Sequence, residues 1–133
     1  MTITTARGCE TITTEDGTEF RFFDIGTGGP PVVLLHGLFG SPSNWLSLMH
    51  DLAGDRRFLA LQLPIDHDKT RRHTAFRSLD QLTQYLIRFT DAMQLDQVAL
   101  CGNSLGGQVA LHYYLLQPER VERLILSGSA GLF

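Results

Sequence analysis

The sequence predicts an α/β protein with a doubly wound, mostly parallel sheet that begins with an antiparallel N-terminal hairpin. Short unbroken apolar runs, typical of strands buried on both faces, occur at residues 32–35, 58–61 and 98–101. Segments in which apolar residues recur every three or four positions separate these runs. Strands that alternate with helices in this way favour a parallel sheet covered by helices on both faces.

The hairpin is expected near the N-terminus. Residues 9–14 and 18–25 alternate polar with β-branched or aromatic residues, and a turn sequence at residues 15–17 separates them. Glycines and prolines over residues 26–31 then predict a loop that leads into the first buried strand.

Three helices are expected. The first begins near Trp45, in the segment after the first buried strand. The second and clearest begins at Ser78, which forms a capping box with Gln81. Its apolar residues recur at helical spacing: Leu79, Leu82, Leu86, Phe89 and Met93. The third spans residues 105–117 and is ended by Pro118.

Two further segments complete the pattern. Residues 64–77 show no periodicity and are expected to form a loop or a short irregular helix. Residues 121–126 are expected to form the last strand. The length of 133 residues allows one domain.

Composition and charge exclude several classes of function. The chain is 43% hydrophobic and 19% charged, which is typical of a globular protein and not of a disordered one. Its net charge is -3, and Lys69 is its single lysine, so we expect no nucleic-acid partner. No apolar run approaches the roughly 18 residues of a membrane helix, so we expect no membrane partner. The N-terminus lacks the apolar run of a secretory signal, and the only cysteines are Cys9 and Cys101, so we expect a cytoplasmic protein.

A G-x-S-x-G motif at residues 102–106 lies between the third apolar run and the third helix. In a tight strand-to-helix turn the central serine takes a strained backbone conformation, and the residues two positions away on each side must be small. Gly102 and Gly106 meet this requirement. A glycine-rich chain can contain the motif by chance, but its position between a strand and a helix favours Ser104 as a nucleophile. The N–H of Leu105, at the start of the helix, would face the same point.

A second glycine-containing segment, residues 36–40, follows the first apolar run. A second donor for an oxyanion would be required at this place. Gly37 lets the backbone turn, so that the N–H of Leu38 can point towards Ser104. For His36 we favour a structural role, in which the imidazole holds the loop by hydrogen bonds, over a catalytic one.

These motifs resemble those of the α/β-hydrolase superfamily. The sequence His-Gly-Leu-Phe-Gly-Ser at residues 36–41, the Asn-Trp pair at 44–45 and Gly-Asn-Ser-Leu-Gly-Gly at 102–107 are similar to its esterase and C–C-bond hydrolase branches. The resemblance covers nearly the whole chain. It implies a serine hydrolase of a small-molecule carboxylic ester, or of a related acyl bond that includes C–C bonds, with Ser104 as nucleophile. It also implies that the N–H groups of Leu38 and Leu105 form the oxyanion hole. We expect no metal and no cofactor.

The catalytic triad of this family runs in the order Ser, Asp or Glu, then His, and the sequence does not complete it. After Ser104 the only acids are Glu119 and Glu122, at the entry to the last strand. That is the wrong end of a parallel sheet for a site at the carboxyl edge. The only later histidine, His112, lies roughly 12 Å along the third helix, at 1.5 Å per residue, and is too far from Ser104.

We therefore expect residues 1–133 to be the N-terminal part of one α/β-hydrolase domain, without its acid and histidine, and inactive alone. His67 and His73 lie at the correct end of the sheet and are a less favoured substitute. Relatives usually carry Asp-x-x-Gly-x-Gly-x-Ser after the second buried strand, which this chain lacks. Asp66, His67 and Asp68 suggest a metal site and the basic residues after them an anion site, but a solvated loop is favoured over both.

The last strand has a consequence for partners. If residues 121–126 have no further neighbour, they leave an open sheet edge and uncovered apolar faces. We expect association through this edge, either as a homo-oligomer or with a complementing C-terminal segment. A non-catalytic split or degenerate hydrolase-fold module, used for binding or assembly, remains the alternative function. Dehalogenase chemistry fits less well, because it would prefer Asp at the position of Ser104.

Overall fold

The computed structural model describes residues 1–6, 8–65 and 78–129, without the side chains of residues 5 and 6. The strands are β1 (Thr2–Ala6), β2 (Cys9–Thr13), β3 (Glu19–Ile25), β4 (Val32–Leu35), β5 (Phe58–Leu61), β6 (Val98–Asn103) and β7 (Val121–Ser127). The helices are α1 (Leu46–Leu52), α2 (Leu79–Ala92) and α3 (Leu105–Leu116), and 3₁₀ turns span Pro42–Trp45 and Pro118–Arg120. No helix in these ranges is both long enough and apolar enough to cross a membrane.

The strands form one seven-stranded sheet in the order β1-β2-β3-β5-β4-β6-β7. Strands β5, β4, β6 and β7 are parallel, whereas β1, β2 and β3 are antiparallel to one another and β3 is antiparallel to β5. The predicted fold class, a mostly parallel doubly wound sheet with an antiparallel start, is confirmed. Strand β1 extends the hairpin and was not predicted, although its β-branched residues favour a strand.

The apolar runs of the sequence are buried on both faces of the sheet. Every residue of β4 and β5 is buried. Val33 and Leu35 belong to the main core under α2 and α3, whereas Leu34 belongs to a smaller core with Met49 of α1. Helices therefore cover both faces, and the carboxyl ends of the parallel strands lie at one edge of the sheet.

Helix α2 is held against the antiparallel strands by aromatic packing. Its N-terminus is capped by Ser78, whose Oγ accepts a hydrogen bond of 3.2 Å from the Gln81 N–H. Phe89 is fully buried, and its ring centroid lies 5.7 Å from that of Phe20 and 5.2 Å from that of Phe22. These rings join the helix to β3, which lies next to the parallel part of the sheet.

Strand β7 lies at the edge of the described sheet. It pairs with β6, and no other strand within the described ranges pairs with it. Ile125 on this strand is 49% exposed, and Leu115 on the neighbouring α3 is 67% exposed. The predicted open edge is therefore present among the described residues, with apolar side chains at its surface.

We expect Phe89→Ala to lower the free energy of unfolding by about 3–5 kcal/mol, because it removes a buried ring from the junction of α2 and β3. Leu48→Ala, on the outer surface of α1, is the control and should change stability by about 0.5 kcal/mol or less. Urea denaturation followed by circular dichroism measures both. Equal losses in the two variants would contradict the importance of this aromatic contact.

Candidate active site

Ser104 is the single residue between the end of β6 and the start of α3. Its backbone has φ 52° and ψ -118°, a conformation that non-glycine residues rarely adopt. Such strain costs on the order of 1–3 kcal/mol and persists only where the surroundings enforce it. The Ser104 N–H donates a hydrogen bond of 3.2 Å to the carbonyl oxygen of Ser127, which ties this turn to the end of β7.

The glycines beside Ser104 are required by close backbone approaches. A Cβ atom on Gly102 would overlap the carbonyl group of Gly106. A Cβ atom on Gly106 would overlap the carbonyl oxygen of Leu35, at the end of β4. Helix α3 therefore packs its first turn directly on two strands, and any side chain at either position would push it away.

The loop after β4 lies against this turn. A Cβ atom on Gly37 would come within 3.3 Å of the Ser104 Cβ. The loop is closed by a hydrogen bond of 3.0 Å from the Gly40 N–H to the Gly37 carbonyl oxygen. Asn44, to which the sequence assigned no role of its own, accepts a hydrogen bond of 2.8 Å from the Ser41 N–H through its Oδ1. The spacing of Ser41 and Asn44, three residues apart at a helix start, is the sequence signal for it.

His36 is buried and holds the same loop. Its Nε2 accepts a hydrogen bond of 2.9 Å from the Leu63 N–H, so the ring proton is on Nδ1. Nδ1 lies 2.7 Å from the carbonyl oxygen of Gly37 and donates to it. The imidazole is thus neutral and joins β4, its loop and the segment after β5, which matches the structural role expected for it.

These contacts orient the peptide between Gly37 and Leu38. The Gly37 carbonyl oxygen accepts hydrogen bonds from both His36 and Gly40. Because the peptide bond is planar and trans, the N–H of Leu38 points to the opposite side. Neither this N–H nor that of Leu105 has an acceptor among the residues that the structure describes. Two unsatisfied backbone donors therefore lie close to Ser104.

A cavity of about 510 Å³ opens at this place, a volume typical of small-molecule sites. It is lined by His36, Gly37, Leu38, Phe39, Gly40, Asn44, Trp45, Asn103 and Ser104. Burial raises the pKa of the neighbouring Cys101 thiol, so this thiol stays protonated near neutral pH and does not compete as a nucleophile. Within the described lining of the cavity, Ser104 is the only residue with a hydroxyl group.

No described carboxylate lines the cavity, and His36 is already engaged. The Nδ1 of His112 lies 3.0 Å from the Thr83 Oγ1 and so links α3 to α2. Glu119 belongs to the 3₁₀ turn before β7, and Glu122 forms an ion pair with Arg56. His112 and Glu122 are thus engaged by other residues, and Glu119 lies before the start of β7, whereas Ser104 follows the end of β6.

Several candidates lie outside the described residues. Asp66, His67, Asp68 and His73 all fall within residues 66–77. Within the described ranges, no group of three His, Cys, Asp or Glu side chains is arranged to hold a metal ion.

We expect Gly106→Ala to lower the free energy of unfolding by about 3 kcal/mol or more, because the added methyl group would overlap the Leu35 carbonyl. Gly54→Ala is a matched control, since a Cβ atom at Gly54 meets nothing within 4 Å. This control should be neutral or stabilising by up to about 1 kcal/mol. Thermal and urea denaturation of both variants would test the packing of α3, and equal stabilities would contradict it.

Comparisons with known proteins show what this chain is similar to. The family model for the alpha/beta hydrolase fold matches residues 30–132. The dihydrolipoyllysine-residue acetyltransferase component of the acetoin cleaving system of Pseudomonas putida is 38% identical over 117 residues, which cover 87% of this chain and 31% of that protein. The 2-hydroxy-6-oxo-2,4-heptadienoate hydrolase of Pseudomonas putida is 35% identical over 121 residues, which cover 87% of this chain and 43% of that protein.

The fold is also found among solved structures. A hydrolase from Pseudomonas aeruginosa superposes with a TM-score of 0.80 at 21% identity, over 97% of this chain and 49% of that one. The present chain thus spans less than half the length of each of these three proteins. Since the family model matches residues 30–132, which are most of the chain, the chain belongs to the α/β-hydrolase fold family.

Proposed function

We propose that this chain carries the nucleophile and the oxyanion hole of a serine hydrolase that acts on a carboxylic ester or a related acyl bond. One observation carries the proposal. Ser104 has a strained backbone at the edge of a cavity, and the two unsatisfied N–H groups of Leu38 and Leu105 lie beside it. Gly37, Gly102, Gly106 and His36 support this arrangement, the glycines by their lack of a side chain and the histidine by its hydrogen bonds.

In this mechanism the Ser104 Oγ attacks the carbonyl carbon of the substrate. A C–O bond forms, and the carbonyl electron pair moves onto the oxygen, which becomes an oxyanion. The two N–H groups stabilise that charge because they are fixed before the reaction, and the N-terminal end of the α3 dipole adds to them. The leaving group departs to give an acyl-enzyme, which water then hydrolyses.

The described residues do not supply the group that transfers the proton of Ser104. The Ser104 hydroxyl needs a base, and no residue in the described lining of the cavity can serve as one. We propose that the histidine and its acid come from outside the described residues, as the family's triad order implies. The similarity to a heptadienoate hydrolase keeps an acyl C–C bond as an alternative to an ester, because the same oxyanion donors would serve both. The two free cysteines support the cytoplasmic location that we also propose.

The absence of a base within the described residues also favours a second candidate, a non-catalytic hydrolase-fold module. Acylation also needs a base for the Ser104 proton, but hydroxide can serve at pH 9. Acylation at this pH separates the two candidates better than turnover does, since an acyl-enzyme that lacks a base is slow to be hydrolysed.

At pH 9, where hydroxide can take the Ser104 proton, we expect p-nitrophenyl acetate to transfer one acetyl group to Ser104 of the full chain, detected by intact-mass and peptide mass spectrometry. Ser104→Ala should abolish this modification, whereas Ser47→Ala on α1 should leave it unchanged. Wherever the base is present, Ser104→Ala should also lower the rate of ester hydrolysis by roughly 10³-fold or more. Acetylation that is equal in Ser104→Ala and the unmodified sequence would favour the non-catalytic module.

We further propose that the chain associates through the β7 edge, either with a second copy or with a complementing segment. Exposed Ile125 and Leu115 support this proposal, since they flank unpaired backbone groups of an edge strand.

We expect sedimentation to give a concentration-dependent mass above the 14.8 kDa of one chain. Ile125→Lys should shift the protein towards the monomer, whereas the matched change Leu48→Lys on α1 should not. A monodisperse monomer that binds no hydrophobic dye would contradict the proposal.

A further inference from the structure

We propose that the cavity beside Ser104 selects a neutral substrate whose apolar group packs on Phe39, and that it discriminates against a substrate with a carboxylate at that position. The proposal rests on the proposed function, because it concerns the same site. It adds a class of substrate and a residue that determines specificity.

The first argument is the exposure of Phe39. Its side chain is 88% exposed on the loop after β4, although it is one of the largest apolar side chains of the chain. Leu38, beside it, is 39% exposed, and both residues line the cavity together with Trp45. Aromatic side chains at a cavity mouth offer a large rigid surface to an apolar ligand. Packing of an acyl or aryl group would remove this surface from water.

The second argument is charge. His36 is the only ionisable residue in the described lining, and the Leu63 N–H on its Nε2 keeps it neutral. Four of the described arginines are paired with carboxylates elsewhere: Arg56 with Glu122, Arg57 with Asp24, Arg88 with Asp16, and Arg120 with Asp91. No described arginine or lysine lines the cavity. A carboxylate that entered it would lose water without gaining a counter-ion from these walls.

The third argument concerns the polar groups at the cavity and the partners that they bind. The N–H groups of Leu38 and Leu105 are directed to an oxyanion, which develops at the reacting carbonyl and not on the rest of the substrate. The Asn44 Oδ1 is engaged by the Ser41 N–H. Asn103 and Trp45 also line the cavity, and the buried Trp45 Nε1 has no hydrogen-bond partner among the described residues. These further polar groups are neutral, so the described walls offer hydrogen bonds and apolar surface but no positive charge. The related heptadienoate hydrolase is named for a carboxylate, so the inference distinguishes this chain from that relative.

Trp45 makes the proposal testable without catalysis. It is the single tryptophan of the sequence and it lines the cavity, so its fluorescence reports binding there. Hexanamide and adipamate, the monoanion of adipic acid monoamide, share the amide that would face the Leu38 and Leu105 N–H groups. They differ only at the far end of the alkyl chain, where adipamate has a carboxylate in place of the methyl group. For the full chain, we expect the Kd of hexanamide to be about tenfold lower than that of adipamate.

Substitutions then test the role of Phe39. Phe39→Ala should raise the Kd of hexanamide by about tenfold, and Phe39→Leu should recover most of the affinity. Leu48→Ala on α1, a residue outside the cavity lining, should leave the Kd unchanged. Adipamate that binds as tightly as hexanamide, or a Phe39→Ala variant that binds hexanamide as tightly as the unmodified sequence, would overturn the proposal.

The two proposals fail in different ways. Binding of hexanamide requires neither the nucleophilicity of Ser104 nor a base. If hexanamide binds as predicted but Ser104 is not acetylated, the proposed catalytic function is wrong and the proposal of a neutral apolar site stands. Acetylation of Ser104 together with preferred binding of adipamate would keep the catalytic function and overturn the selectivity.

Discussion

The rest of the site depends on the left-handed backbone of Ser104, the one residue that separates β6 from α3. To reverse the chain in one residue, the first turn of α3 must lie directly on the sheet. That approach excludes a Cβ atom at Gly102 and at Gly106. The strain of about 1–3 kcal/mol is sustained because β6 is buried between β4 and β7, and because Ser127 at the end of β7 accepts the Ser104 N–H.

The same packing joins the turn at Ser104 to the loop after β4. Gly106 is placed against the carbonyl oxygen of Leu35, and two residues further on Gly37 faces the Ser104 Cβ. A shift of α3 would therefore move the loop, and a shift of the loop would move the Leu38 N–H away from the reacting atom. His36 limits such shifts, since its two ring nitrogens join the Leu63 N–H to the Gly37 carbonyl. Electrostatic stabilisation of an oxyanion depends on this kind of fixed geometry.

Local sequence predicts the parts of this structure that depend on contiguous residues. The buried strands follow from unbroken apolar runs, and the turn at Ser104 follows from glycines at fixed spacing beside it. Contacts between distant segments were not predictable in the same way. The hydrogen bond from the Leu63 N–H that sets the tautomer of His36 joins residues 27 positions apart. Strand β1 was not predicted because its sequence is polar and rich in threonine. Thr2, Ile3 and Thr4 are exposed, and only the pairing with β2 reveals the strand.

The division between the groups that the described residues supply and those that they do not follows from the same distinction. The proposed nucleophile and the two proposed oxyanion donors belong to two short segments, residues 36–41 and 102–107, and the donors are backbone groups that the fold itself positions. An acid and a base are side chains, which must reach the Ser104 hydroxyl from other loops at the carboxyl edge of the sheet. The described strands can therefore establish the electrostatic part of the proposed site without the proton-transfer part. Because the hydroxyl of a serine without a base is a weak nucleophile, the described residues alone would stabilise the oxyanion but would form it slowly.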